Sequence, residues 1–193
     1  FPYQQLFRSS TAVRNKPVGY GSAQPEAGQI PAARLLTRDN LIGAAKTTPT
    51  KTTSLAPLGR LDQDSRGLLL LSEDGVLAKA VIGADSALDK EYLVRVDGVI
   101  SEAKLVKLRH GLSLDGKVLK AAKVTREGGH TLRFILREGR KRQIRRMCDL
   151  VELDVVDLLR VRIGPLKLEN LPEGKWRALA PAEREMLVKA AKA

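Results

Sequence analysis

The sequence predicts an α+β domain built on a mixed, mostly antiparallel sheet with flanking helices. From Glu91 to Ile163, strand-like and helix-like hydrophobic patterns follow one another in the order strand, helix, strand, strand, helix, strand. Hydrophobic residues make up 43% of the 193 residues, which is enough for a real core. This length suits one sizeable domain, or two small lobes that share one sheet.

The first regular elements are expected after a long irregular stretch. Residues 19–57 are rich in Gly, Pro, Thr and Ala, and residues 46–54 have the composition of an exposed, flexible loop. Residues 67–72 follow as a buried strand that contains four leucines. Asp74-Gly75 then predicts a turn that opens a short helix running to Ile82.

The second half of the chain has a regular plan. Ser101 is a good N-cap for a helix that runs toward His110, and Gly111 is a good stop for it. The remaining elements are strands at 91–96, 117–125 and 131–137, the last two joined by a Gly128-Gly129 turn, then a helix from Arg140 to about Val151, a strand at 154–163 and a polar helix from Pro181.

We predict a basic N-terminal tail at 1–13, one domain at 14–180 with a flexible loop at about 21–57, and a C-terminal helix and tail at 181–193. The first 14 residues contain Arg8 and Arg14 and no acid. This composition fits an ordinary basic tail of a cytoplasmic protein, and it equally fits the remnant of a targeting peptide for a mitochondrion or plastid matrix.

The charge of the chain favours a nucleic-acid partner. The formal net charge is +12 and the isoelectric point is about 10.1, so phosphate contacts and counterion release would favour binding. A basic surface that only keeps the protein soluble is the alternative. Aromatic residues are only 4% of the chain, which argues against a single-strand binder built on stacked rings.

Metal, disulfide and membrane functions find little support in the sequence. Cys148 is the only cysteine and His110 and His130 are the only histidines, so we expect no internal disulfide, no cysteine-based zinc site and no histidine-rich metal centre. The longest apolar run, at 68–71, has the length of a strand, so we expect no membrane partner. We expect a monomer in a reducing compartment.

A polar loop at 59–67 contains the first candidate site. The loop runs directly into the four leucines, which places the Asp62 carboxylate at the edge of a dry region where one cation can tune it. The alternative is that Asp62 and Asp64 are ordinary turn residues that bind the local backbone.

The helix predicted from Arg140 contains the second candidate site. Ile144, Met147, Cys148 and Val151 fall at spacings that form one buried stripe. Arg145 lies nearest the edge of this stripe and can reach inward. Four further cations suit phosphate binding or form a solvated basic face: Arg140, Lys141, Arg142 and Arg146.

Five blocks of this chain occur in the order found in one enzyme family. They are NKPVG at 15–19, GRLDQDSRGLLLLSEDG at 59–75, KEYLV at 90–94, EGRKRQIRRM at 138–147, and RIGPL with EGKWR at 162–166 and 173–177. Together these blocks resemble the RsuA-type family of ribosomal-RNA pseudouridine synthases and cover most of 14–179. The resemblance implies a pseudouridine synthase fold.

The resemblance also implies the chemistry and the roles of the residues. Uridine becomes pseudouridine when the glycosidic bond breaks, the base turns and a carbon link forms, with no metal or redox cofactor. Asp62 would be the catalytic carboxylate, Tyr92 would contact the base, and Arg145 would pair with Asp62. Arg60 would fill the gap left by a flipped nucleotide. Substrate-binding roles extend to Lys90 and Ile144, and RNA-binding roles to Lys16, Arg140, Lys141, Arg142 and Arg146.

Three functions follow from these observations. The first is a synthase acting on a uridine of ribosomal RNA, in the large subunit, with ribosomal RNA or a pre-ribosomal particle as partner. The second is an RNA-binding assembly factor that keeps the fold and works with assembly proteins. The third is a related synthase acting on transfer RNA. Many family members carry an S4-type RNA-binding domain before the first block, whereas only 14 residues precede Asn15 here.

Overall fold

The computed structural model describes residues 11–21, 30–31, 36–43 and 55–192. The loop predicted at 46–54 lies outside these residues. The chain divides into two compact units. The first unit comprises the residues up to Leu88 together with those from Arg162 onward, and the second comprises Asp89–Val161.

A sheet of mostly long-range pairings organises the first unit. The strands of this unit are β1 (Thr11–Lys16), β2 (Tyr20–Gly21), β3 (Ile30–Pro31), β4 (Ala56–Leu58), β5 (Arg66–Ser72), β12 (Leu166–Lys167) and β13 (Trp176–Ala178). Strand β5 pairs in antiparallel fashion with β1 on one side and with β4 on the other, and β13 continues the sheet beyond β1.

The leucine run forms the predicted buried strand. Leu68 to Leu70 have no exposed surface, because the strand is paired along both edges and covered on both faces. One face packs against Ala12, Leu61 and Trp176. Strand β1 was not predicted, and its first three residues fall within the tail expected at 1–13.

Two helices complete the first unit, α1 (Gly75–Ile82) and α4 (Pro181–Ala190). The predicted turn at Asp74 is confirmed, since the Asp74 carboxylate accepts hydrogen bonds from the backbone N–H groups of Val76 and Leu77. It also forms an ion pair with Arg184 at 2.5 Å. Helix α4 is therefore fixed to α1 through this ion pair.

The second unit contains β6 (Lys90–Asp97), α2 (Glu102–Arg109), β7 (Ser113–Leu114), β8 (Lys117–Val118), β9 (Lys123–Gly128), β10 (Thr131–Leu136), α3 (Gln143–Leu150) and β11 (Asp154–Ile163), whose last two residues belong to the first unit. Apart from the β7–β8 hairpin, which was not predicted, these elements follow the predicted β-α-β-β-α-β order. The strands of the main sheet lie in the spatial order β11, β6, β10, β9, with antiparallel pairing of β10 to β6 and to β9.

One core fills the second unit, and it is formed by the inward-facing side chains of the strands and by the apolar stripes of both helices. Ser101 caps α2 through its hydroxyl, which accepts from the backbone N–H of Lys104. The stripe predicted for α3 is confirmed, since Ile144, Met147, Cys148 and Val151 are all buried. The α+β class and the mixed, mostly antiparallel sheet are therefore as the sequence predicted.

Two boundaries in the second unit differ from the prediction. The strand expected at 117–125 is two strands, because Leu119 and Ala122 both turn into the core between them. The helix expected from Arg140 begins at Gln143. Arg142 adopts φ 51, which breaks the helical path, and the Gln143 side chain accepts from the backbone N–H of Arg140 at 2.9 Å.

Within the described residues, no helix is both long and apolar enough to cross a membrane.

Candidate active site

The predicted catalytic loop connects β4 to β5 in the first unit. Leu61 is 4% exposed and anchors the loop in the core, and Asp62 follows it in a half-buried position. The Asp62 carbonyl accepts from the Ser65 backbone N–H at 3.0 Å, which closes a tight turn. The carboxylate therefore belongs to a loop whose backbone is fixed on both sides of it.

The first motif supports this loop from the end of β1. The backbone N–H of Gly19 donates to the Gln63 carbonyl at 2.8 Å, and the Gln63 side chain donates to the Gly19 carbonyl. Lys16 is fully buried opposite Gly67 on β5, and its ammonium group donates to the Pro17 carbonyl at 2.9 Å. The Lys16 side chain is thus bonded to the backbone of the first motif, and its RNA-binding role stays a prediction.

Arg14 is a buried cation that the sequence analysis did not assign. It lies two residues before Lys16, so alternation along β1 places both on the face that carries Ala12. Burial lowers the pKa of Arg14 to about 10, while Tyr20 acts in the opposite direction. The signal in the sequence was a pair of cations two residues apart, Arg14 and Lys16, in a strand that begins before the first motif.

Lys90 and Tyr92 lie on the inward face of β6 in the second unit. Tyr92 is 8% exposed, pairs with Phe134 of β10 and belongs to the same core cluster as Ile144. The structure thus brings together two of the predicted substrate-binding residues, Tyr92 and Ile144. Packing on several sides gives the tyrosine ring little freedom to move.

Lys90 is 9% exposed, and burial lowers its pKa to about 8, with a further contribution from Arg160 and an opposing one from Asp89. Arg160 on β11 is a second residue that the sequence analysis missed, although it is inward in phase with Leu158. The positive charge of Arg160 therefore adds to the cost of burying the Lys90 ammonium group.

Arg145 is half-buried on α3, directly after Ile144. Asp62 and Arg145 belong to different units, so the predicted ion pair between them stays a prediction. Arg60 is exposed beside the anchored Leu61, as a residue that reaches toward RNA should be.

The four cations predicted to bind phosphate occupy different settings. Arg140 donates to the carbonyls of Leu114, Lys117 and Val118, at distances of 3.1 to 3.3 Å. Arg146 forms an ion pair with Asp115 at 2.8 Å. Lys141 is exposed and Arg142 is half-buried at the start of α3. Their RNA-binding roles stay predictions.

No group of three or more His, Cys, Asp or Glu side chains that could hold a metal ion occurs in the part of the chain that the structure describes. Cys148 is buried within the second unit, and burial raises the pKa of its thiol to about 12. A buried thiol with so high a pKa is a poor nucleophile and a poor ligand. The remaining candidate chemistry is that of the carboxylate, the tyrosine and the buried cations.

Comparison with known proteins defines the class to which this loop and these cations belong. Residues 10–150 match the family described as RNA pseudouridylate synthase, and the chain belongs to that family. A solved structure titled "Crystal structure of pseudouridylate synthase" superposes with a TM-score of 0.80 at 26% identity, covering 93% of this chain and 74% of that one.

Two curated relatives are more specific. The dual-specificity RNA pseudouridine synthase RluF of Escherichia coli K12 is 37% identical over 169 residues, which are 88% of this chain and 54% of the relative. The ribosomal large subunit pseudouridine synthase B of Vibrio vulnificus is 38% identical over 63% of this chain and 40% of its own length. The chain thus spans about half the length of the first of these relatives.

Proposed function

We propose that this chain is an RNA pseudouridine synthase that isomerises a specific uridine of large-subunit ribosomal RNA, with Asp62 as its catalytic carboxylate. The observation that carries this proposal is the setting of Asp62. It follows an anchored leucine, in a loop fixed by backbone hydrogen bonds, within a chain of the RNA pseudouridylate synthase family. A half-buried carboxylate in such a setting is preorganised for chemistry.

The proposed reaction is an isomerisation in which all atoms are retained. The bond between C1′ and N1 of the uridine breaks, the base turns, and a bond forms between C1′ and C5. The proton of C5 leaves, and N1 gains a proton. Asp62 takes part either as a nucleophile or by removing a sugar proton, and both routes need an ionised carboxylate. We assign Arg145 as the cation that pairs with Asp62.

Tyr92 and Arg60 would handle the target nucleotide. The Tyr92 ring is fixed by the core of the second unit, so its accessible edge can hold a turned uracil without a large loss of side-chain entropy. Arg60 is exposed next to Leu61, where it can occupy the space that a flipped nucleotide leaves in the RNA. Lys90 and Ile144 complete the proposed substrate-binding set.

The proposed partner is ribosomal RNA, free or in a pre-ribosomal particle with its assembly proteins, and we propose that the chain acts as a monomer without a cofactor. The net charge of +12 supports a polyanionic substrate. The proposed location is the cytoplasm, with a mitochondrion or plastid matrix as the alternative if the N-terminal segment is a processed targeting peptide.

The test maps pseudouridine by chemical labelling and reverse transcription in an unmodified large-subunit ribosomal RNA transcript treated with the protein. We expect one new site with the wild type and its loss, by a factor of at least about a hundred in rate, with Asp62→Asn. Asp64→Asn is the matched control, because Asp64 lies in the same turn and is exposed.

Each outcome is informative. A site that persists in Asp62→Asn would contradict the assigned role of Asp62. No new site with the wild type, combined with tight RNA binding by both proteins, would favour the assembly-factor function. A site that arises in a transfer RNA transcript alone would move the substrate from ribosomal to transfer RNA.

A further inference from the structure

A small hairpin in the second unit stands apart from the main sheet. Strands β7 and β8 pair only with each other among the strands described, and Asp115-Gly116 joins them. Both turn residues have positive φ, 53 and 76, as a two-residue hairpin turn of this kind requires. We call these residues, 113–118, the hairpin arm. Four of them, Asp115 to Val118, are exposed in succession.

The hairpin arm is held rigidly in spite of its exposure. Leu114 and Leu119 are both 7% exposed and belong to the core cluster of the second unit. The Arg140 guanidinium donates to three carbonyls of the arm, which are those of Leu114, Lys117 and Val118. An isolated two-stranded hairpin is marginally stable in water, so these contacts give the arm its defined position.

The same contacts gather exposed cations around the arm. The Arg146 guanidinium bridges the Asp115 carboxylate at the tip and the Lys141 carbonyl at 3.0 Å. The Lys120 backbone N–H donates to the Glu138 carboxylate at 2.8 Å, which brings Lys120 beside Arg137. We call the four exposed side chains collected in this way the basic corner: Lys117, Lys120, Arg137 and Lys141.

The carboxylates near the basic corner already form ion pairs with other arginines. Asp115 is engaged by Arg146, which lowers the pKa of the Asp115 carboxyl and keeps it ionised and paired. Glu138 is engaged by Arg140 and by the Gln143 amide. In the described part of the chain, no carboxylate forms an ion pair with the four cations of the basic corner. Their charge is therefore available to an anionic partner.

We propose that the hairpin arm and the basic corner form an RNA-docking surface, on which Arg140 acts as a positioning residue and not as a phosphate ligand. Four uncompensated cations on a rigid support suit successive phosphates of an RNA strand. Val118, which is 69% exposed on the arm, offers an apolar contact to a sugar or a base. This inference rests on the proposed function only in taking RNA as the partner.

The first experiment uses the single cysteine of the sequence. Because Cys148 is fully buried and its pKa is raised to about 12, a cysteine introduced at the surface is the only thiol that labels readily. Val118→Cys, labelled with a thiol-directed photocrosslinker, is expected to crosslink to a large-subunit ribosomal RNA transcript. Met186→Cys, at an exposed position of α4, is the matched control and should crosslink far less.

The second experiment measures affinity for the same transcript. Lys117→Ala with Lys120→Ala should raise Kd about tenfold and reduce the slope of log Kd against log salt by about 1.5, as expected for two lost phosphate contacts. The control pair is Lys189→Ala with Lys192→Ala, which removes the same charge from exposed positions of the last helix and the residues after it. Thermal unfolding verifies that all variants are folded.

The outcomes separate this inference from the proposed function. Equal crosslinking at positions 118 and 186, or an unchanged salt slope in the arm variant, would overturn the docking surface even if Asp62-dependent pseudouridine forms. Strong crosslinking at 118 with a reduced slope would support the docking surface even if no pseudouridine forms.

Discussion

At the scale of single residues, the most unusual feature is the number of buried cations. Arg14, Lys16 and Arg160 are at most 1% exposed, and Lys90 is 9% exposed. Removing a charge from water costs several kcal/mol unless partners compensate for it. Arg14 donates to the Gly174 carbonyl and Lys16 donates to the Pro17 carbonyl, so part of this cost is offset within the protein.

The free-energy cost of burying a cation can be measured at Lys90. Its folded pKa of about 8 lies below the ordinary 10.5, so between these values the unfolded chain holds a proton that the folded protein has lost. Stability therefore rises with pH across this window, and the penalty is fully present below pH 8. We expect Lys90→Met to stabilise the protein at pH 7 by up to a few kcal/mol, with the advantage vanishing near pH 10.5.

The measurement is urea unfolding of both proteins at several pH values, with Lys123→Met, at an exposed strand position, as the control. A Lys90→Met variant that is less stable than the wild type at pH 7 would show that Asp89 and other groups already compensate for the Lys90 charge.

At the scale of elements, side chains at helix ends determine where helices begin and what they contact. Ser101 is the predicted N-cap of α2, and Asp74 lies in the turn predicted to open α1; both side chains accept backbone hydrogen bonds at the start of their helices. The predicted start of α3, Arg140, was wrong by three residues, because the helix begins at Gln143. Propensity and charge could not reveal that Arg142 adopts a left-handed conformation, since this depends on the Gln143 side chain folding back to Arg140.

Asp74 links α1 to α4, and we predict that this link stabilises the first unit. Asp74→Ala removes an N-cap and an ion pair whose carboxylate is 7% exposed, so the free energy of unfolding should fall by about 1–2 kcal/mol. Arg184→Met is the comparison, because it removes the ion pair and leaves the cap. Urea unfolding at pH 7 measures both changes, and equal losses would mean that the cap contributes nothing.

The ion pair between Asp74 and Arg184 predicts that the stability of the protein depends on pH in the acid range. The Arg184 side chain is the largest cause of the lowered pKa of Asp74, and the backbone N–H groups of α1 add to it. A carboxyl group with a lowered pKa in the folded state contributes stability above its ordinary value of 3.8, and the contribution is lost as the pH falls through the folded pKa. Wild type and Asp74→Ala should therefore converge in stability as the pH falls below 3.8, and a stability difference that grows as the pH falls would contradict this assignment.

At the scale of the whole molecule, the net charge of +12 predicts how RNA binding responds to salt. If six or more phosphates are contacted, raising the salt concentration from about 50 to about 200 mM should weaken binding by a factor of about a thousand or more. Filter binding with a large-subunit ribosomal RNA transcript measures this factor. Asp62→Asn should show the same slope, since Asp62 contributes to chemistry and not to phosphate contacts. A Kd that is independent of salt would contradict a phosphate-dominated interface.

Local patterns were enough to predict the fold class, the order of the main-sheet strands and helices in the second unit, and the loop that carries the candidate carboxylate. These depend on local signals, such as the leucine run of β5, the alternation in β6 and β11, and the stripe of α3, which act over a few residues. The family blocks gave the candidate chemistry, because they record residue types at fixed spacings.

The groups that each cation contacts depend on the tertiary structure and could not be predicted from the sequence. Arg140 and Arg146 have the same charge and lie in the same motif as Lys141, yet they bind the hairpin arm while Lys141 is exposed. The burial of Arg14, and the proximity of Lys90 to Arg160, follow from pairings between segments that are far apart in the chain. Charge and burial are properties of the folded neighbourhood, so no local pattern specifies which cation faces RNA and which holds the protein together.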